Sequence, residues 1–130
     1  SGQTLMLESY LYVDPTLYEA ARITGIPFRE ELHPFSKKVV LNGLKFHYLE
    51  WGKGDSETIL VLHGIGQQSH SWDFISLALA SRYRVIALDA RGHGDSQWAP
   101  NGDYSMEAHQ QDLDGFTEAI RLSKFILISN

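Results

Sequence analysis

The chain has 130 residues, 43% of them apolar and 12% aromatic, with a formal charge of −5 and no cysteine. Such a length and apolar content suffice for one compact domain with a sizeable core. The acidic balance, lacking a basic patch, argues against nucleic acid as a partner; the lack of cysteine excludes a disulfide scaffold and a thiolate metal site; and no apolar run approaches a membrane span.

The first residues, "SGQTLMLESYL", carry neither a basic stretch nor a long apolar one, so they make a poor signal peptide and the expectation is a soluble, cytoplasmic protein. "DPTLYEAARITG" then has the marks of a helix: Asp14 can cap it, Pro15 suits its first turn and Gly25 can end it. Pro27 and Pro34 punctuate an irregular stretch after the helix. Residues 1–35 are read as an N-terminal helical extension packed on a main domain that begins at residue 36.

"KKVVLNGLKFHYLEWG" predicts a hairpin turning at Asn42-Gly43, since both residue types tolerate positive φ. Beyond the turn Leu44, Phe46 and Tyr48 alternate with Lys45 and His47, the pattern of a strand with one apolar and one polar face. The period then changes. Thr58–Leu62 ("TILVL"), Val85–Leu88 ("VIAL") and Phe125–Ile128 ("FILI") are short continuous apolar runs, as expected of parallel strands buried on both faces.

Helical patterns separate these runs. In "SWDFISLALASR" Trp72, Ile75 and Leu79 share a face, and Asp73 falls in the first turn, where negative charge is favoured. In "YSMEAHQQDLDGFTEAIRLS" Met106, His109, Leu113, Phe116 and Ile120 form a stripe behind a capping Ser105. A hairpin followed by β-α-β-α-β gives an α/β fold with a mostly parallel sheet flanked by helices.

Ligands of such sheets bind beyond the carboxyl ends of the strands, which directs attention to two loops. "HGIGQQSHSW" follows the first parallel run, and Gly64 and Gly66 allow its backbone to turn sharply against a ligand. Two chemistries fit the pattern. "GIGQQS" approaches a dinucleotide fingerprint, with Asp89 where a ribose-binding acid belongs, but Ser69 stands at the third glycine. The alternative is an oxyanion hole, in which a backbone N–H after His-Gly meets developing negative charge. The second loop, "DARGHGDS", places His93 near His63 at adjacent strand ends, with no carboxylate at ligand spacing to complete a metal site. Asp89 and Arg91 are expected to pair with each other or with loop amides.

Taken in order, "TILVLHGIGQQSHSWDFISLALASRYRVIALDARGHGDS" resembles the α/β-hydrolase superfamily, through a strand, a His-Gly-x-Gly loop, a Trp at a helix start, a second strand and Asp-x-Arg-Gly-x-Gly-x-Ser. The likeness covers about residues 38–130 and implies that residues 36–130 are the N-terminal half of such a core domain. It implies that the backbone N–H of Ile65, or of Gly66, belongs to an oxyanion hole, and that Gly64, Ile65 and Asn130 meet the substrate. His63 would orient its loop, and Asp89, Arg91, Gly92 and Ser96 would shape the loop beside it. Phe125–Ile128 would be the strand leading to the nucleophile elbow, with Ser129 at its first small position, Asn130 just before the nucleophile, and the nucleophile at position 131.

On that likeness the nucleophile, the triad acid and the triad histidine would all lie beyond residue 130, so the chain is expected to be part of a longer protein and to need the C-terminal remainder of the fold as its partner. An apolar "FILI" left at a sheet edge would otherwise invite pairing or aggregation. The expected activity is serine-type hydrolysis of an ester, or of a carbon–carbon bond next to a carbonyl, in a small-molecule substrate and without metal or cofactor. The alternatives are an Asp-nucleophile dehalogenase or epoxide hydrolase, and a non-catalytic binding protein of the same fold.

Overall fold

A computed structural model describes residues 5–28, 31–52, 56–63 and 68–129. Six strands form one sheet: β1 (Leu5–Leu11), β2 (Phe35–Leu41), β3 (Leu44–Trp51), β4 (Thr58–Leu62), β5 (Arg84–Leu88) and β6 (Ile126–Ser129), in the spatial order β1-β2-β3-β5-β4-β6. Three helices accompany it: α1 (Pro15–Thr24), α2 (Asp73–Leu79) and α3 (Met106–Ala119). The α/β class and the flanking helices are those expected. Strand β4 pairs in parallel with β5 and with β6, and the antiparallel strands β3, β2 and β1 extend the sheet beyond β5.

Local signals set most of these elements. Asn42 (φ 51°) and Gly43 (φ 77°) both take positive φ, so the hairpin closes in a two-residue turn whose twist matches its strands. Asp14 accepts the Thr16 N–H at 3.1 Å and caps α1; Ser105 accepts the Ala108 N–H at 3.1 Å and caps α3. Each satisfies a backbone donor that the first helical turn leaves without a partner.

Packing explains the apolar runs. Ile59, Val61, Val85, Ala87, Leu49 and Trp51 point to one face of the sheet, where α1 and α2 cover them through Tyr18, Ala21, Leu77 and Ala80. Leu60, Ile86, Leu88, Phe46 and Tyr48 point to the other, where Phe116 of α3 lies fully buried. Two covered faces leave β4 and β5 no polar side, which is why their sequences do not alternate. Since α2 and α3 lie on opposite faces, the chain leaves β4 and β5 in opposite directions and a crevice opens between their carboxyl ends.

Four details differ from the sequence expectations. Residues 1–35 hold the expected helix, and they also contribute β1, an edge strand antiparallel to β2; its short, irregular apolar pattern gave no periodic signal. Strand β6 is not buried on both faces: it pairs only with β4 among the described residues, and Ile126 and Leu127 are 44% and 48% exposed. His47 does not face solvent but lies on the α1–α2 side with Leu49 and Trp51, because β3 is a central strand in this sheet. In α2 the buried positions are Ser76 and Leu77, while Ile75 is 46% exposed; Ser69–Trp72 forms a separate 3₁₀ turn, which shifts the face that the helix presents.

Candidate active site

The crevice lies beyond the carboxyl ends of β4 and β5, where two segments of the chain follow. Of the first, Gly64, Ile65 and Gly66, the expected oxyanion and substrate positions, lie outside the described residues, as does Asn130. What the structure places is the chain on either side. Before the segment, His63 Nε2 accepts the backbone N–H of Ala90 at 2.9 Å. After it, the Ser69 N–H donates to Asp89 Oδ1 at 2.5 Å. His63 and Ser69, on either side of that stretch, are thus each bonded to one of two consecutive residues at the exit of β5. His63 acts there as an anchor, the structural role expected of it.

Asp89 is the centre of this arrangement and is fully buried. Its Oδ2 accepts His47 Nδ1–H at 2.6 Å and the Asp95 N–H at 3.1 Å, while its Oδ1 takes Ser69. Burial pushes its pKa up, but the hydrogen bonds from His47, Ser69 and Asp95 more than offset this and hold it below the ordinary value of 3.8. A carboxylate so engaged and so enclosed is not presented to a ribose, which removes the main support for a dinucleotide site. Asp89 pairs with loop amides as expected; its side-chain partner is His47 and not Arg91.

The remaining motif residues serve the same loop. Ser96 Oγ donates to the Asp89 carbonyl at 2.7 Å and accepts the His47 N–H at 2.9 Å. Gly94 has φ 51°, and a Cβ there would fall 2.5 Å from the Asp89 carboxylate, so only hydrogen fits. Arg91 turns away from Asp89 to α3. Its Nε and Nη2 donate to the two oxygens of Asp112 at 2.6 and 2.8 Å, and its Nη1 to the Asp103 carbonyl at 2.8 Å.

His63 and His93 are brought together, with ring centroids 5.2 Å apart. They border a recess of about 270 Å³ floored by Leu62, Leu88 and Leu113, with His109 on its α3 side. Burial lowers the His109 pKa. Among the described residues no three His, Asp or Glu side chains are grouped to hold a metal ion, and no helix is long and apolar enough to cross a membrane.

The profile of the alpha/beta hydrolase fold matches residues 57–129. The chain belongs to that family. Human epoxide hydrolase 4 is 33% identical over 91 residues, 68% of this chain and 25% of that protein. The N-formylmaleamate deformylase of Pseudomonas putida is 30% identical over 92 residues, 71% of this chain and 34% of that protein. Among solved structures, the thioesterase domain from the curacin biosynthetic pathway superposes with a TM-score of 0.70 at 26% identity, covering 75% of this chain and 37% of that one. The chain therefore spans about a quarter to a third of the curated relatives it matches.

Two residues that organise this alpha/beta hydrolase site escaped the sequence reading. His47 counted only as a polar position alternating with Leu44, Phe46 and Tyr48, although it shares its side of the strand with the apolar Leu49 and Trp51. Asp112 falls next to Leu113 in the helical stripe, where an acid signals a buried cation opposite; Arg91 is that cation.

Proposed function

We propose that these residues form the oxyanion-loop portion of a hydrolase that attacks a carbonyl, in an ester or in a carbon–carbon bond next to a carbonyl, with a serine nucleophile. The nucleophile would be the residue following Asn130 in the natural protein, and the triad acid and histidine would come from a C-terminal remainder of the fold. As the Ser Oγ adds to the carbonyl, its oxygen gains negative charge, and the N–H of Ile65, or of Gly66, would stabilise it. Gly64, Ile65 and Asn130 would border the substrate.

The observation that carries this reading is that His63 and Ser69, which flank the candidate oxyanion residues in the chain, are bonded to the consecutive residues Ala90 and Asp89. A donor aimed at a transition state works only if it is held before the reaction, because reorganising it costs the energy it should supply. The family membership and the amide and thioester substrates in two relatives' names support acyl chemistry.

A second reading, an Asp nucleophile opening an epoxide, draws on the name of the human relative. One experiment separates the two. The natural full-length protein is treated with a fluorophosphonate probe and assayed on a short-chain p-nitrophenyl ester and an aryl epoxide. A covalent adduct at residue 131 with ester turnover supports the serine reading. Epoxide turnover with Asp at 131 and no adduct refutes it in favour of the second. Neither turnover nor adduct, with Ser at 131, leaves a binding protein of the same fold.

A further inference from the structure

We infer that His47 is a positioning residue for this site, acting through Asp89; the inference rests on the hydrolase reading above, in which the segment after His63 supplies the oxyanion donors. His47 sits in the middle of β3 and is 2% exposed. Both ring nitrogens are engaged, Nδ1 with Asp89 Oδ2 at 2.6 Å and Nε2 with Ser36 Oγ at 2.7 Å. Asp89 can only accept at that contact, so Nδ1 carries a proton, and in the neutral ring Nε2 accepts from the Ser36 hydroxyl.

The backbones of the pair are joined as well, for the Asp89 N–H donates to the His47 carbonyl at 2.9 Å. With its main chain and Oδ2 both tied to His47, the Asp89 carboxylate has one remaining direction for Oδ1, and Ser69 N lies along it at 2.5 Å. A chain of hydrogen bonds thus runs from β2 through β3 and the exit of β5 to the residue that starts the 3₁₀ turn after the candidate oxyanion loop. Without the His47 donor, Oδ2 would retain, among the described residues, only the 3.1 Å bond from Asp95, and a buried carboxylate short of a donor would rotate to find another.

Ser36, His47 and Asp89 have the connectivity of a hydrolytic triad. All three are nonetheless buried, at 2%, 2% and 0% exposure, so Ser36 Oγ cannot meet a substrate. The arrangement holds the loop and leaves attack to another residue.

The test uses two variants of the natural full-length protein that split the ring's functions. His47→Asn keeps an N–H near the Nδ1 position and loses the Ser36 contact; His47→Gln keeps a polar group toward Ser36 and loses the donor to Asp89. Ester or epoxide turnover and amide hydrogen exchange at Ser69 are measured for each. H47Q is expected to lower kcat by about tenfold to a hundredfold with KM within about threefold, as misplacement of a transition-state donor does. It should also speed exchange at Ser69 by about tenfold or more while leaving the Ala90 amide unchanged. H47N is expected to keep both values within about threefold of wild type.

Equal losses of kcat in H47N and H47Q, or wild-type kcat and Ser69 exchange in H47Q, overturn the inference. Should H47Q not fold, Ser36→Ala removes only the hydroxyl that steadies the ring and is read the same way; a several-fold fall in kcat with faster Ser69 exchange supports the inference, and unchanged values sink it. A wild-type protein that turns over neither substrate counts against the hydrolase reading instead, and the Ser69 exchange rates then decide the coupling to His47 by themselves.

Discussion

Arg91 grips Asp112 with two parallel N–H···O bonds, of 2.6 and 2.8 Å, in a contact where both residues are at least nine-tenths buried. The pair fastens the loop after β5 to α3, and Asn42 Nδ2 adds a third donor to Asp112 at 3.3 Å. The fork of a guanidinium matches the two carboxylate oxygens, and burial removes the water that would otherwise weaken the attraction.

Removing one partner of such a pair leaves the other charged and without compensation. Asp112→Ala is therefore expected to destabilise the protein by about 3–5 kcal/mol in urea unfolding. Arg91→Lys should lose most of the same stability, since an ammonium group cannot reach both Asp112 oxygens and the Asp103 carbonyl together. A loss below about 1 kcal/mol for D112A, the range of an exposed pair, would contradict the buried geometry.

Two glycines with the same sign of φ predict different costs on substitution. Gly43 has open space where a Cβ would stand, so Gly43→Ala carries only the backbone penalty of left-handed geometry, about 1–2 kcal/mol. At Gly94 the new Cβ would also lie 2.5 Å from the Asp89 carboxylate. Gly94→Ala should thus cost clearly more than Gly43→Ala in the same unfolding assay and should raise the Asp89 pKa by displacing its donors. Equal costs would show that Asp89 does not occupy this position.

The acid limb of stability follows from Asp89 and Glu50. Burial raises the pKa of both, but hydrogen bonds outweigh it: those of His47, Ser69 and Asp95 for Asp89, and those of Arg84 and Lys37 for Glu50. A carboxyl whose folded pKa is depressed contributes stability that is present above its unfolded value and is lost as pH falls through the folded one. The contribution of these two carboxylates to unfolding free energy is therefore expected to hold steady from pH 7 toward 5 and to decline below the ordinary values of 3.8 and 4.5. Asp89→Asn should flatten that decline; an unaltered acid limb in this variant would refute the assignment.

His70 predicts a change on the other side of neutrality. Its hydrogen bond to Asp73, 2.8 Å long, holds the imidazole pKa above 6.5 despite burial. Asp73 itself is pushed up by burial, which its bond from His70 only partly offsets. Geometry supports the pair, and the Tyr12 ring, 4.7 Å from that of His70, covers it from the N-terminal segment. For a histidine with a raised pKa the contribution is fully present below 6.5 and disappears as pH rises through the folded value. NMR titration of His70 should give a midpoint above 6.5 that drops in Asp73→Asn, and the wild-type protein should lose stability from pH 6 to 8 by more than the variant does.

The elements that were legible from sequence share one property: their signal is local. Asn42-Gly43 makes a tight turn wherever it occurs between strands; Asp14 and Ser105 cap the helices that come after them; the continuous apolar runs at Thr58–Leu62 and Val85–Leu88 match β4 and β5 within one residue. Strand β1 was missed because an edge strand gains its bonds from a distant neighbour, β2, and shows little of this in its own residues. The exposure of β6 and the rotated face of α2 were missed for a similar reason, since each depends on what packs against the element.

At the site the division is sharper. The order and spacing of "HGIG" and "DARGHGDS" were enough to place the chain in its family, because backbone geometry at strand ends demands particular residues at fixed positions. Which groups meet there is another matter: His47 reaches Asp89 across 42 positions and Arg91 reaches Asp112 across 21. The sequence by itself determined most of the elements and where the two loops fall along the chain. Only the tertiary structure decided that a histidine on a central strand is buried and that it donates to a carboxylate which in turn accepts the Ser69 N–H. Local preferences act over a few residues, whereas a buried charge is satisfied by whichever partners the folded sheet carries to it.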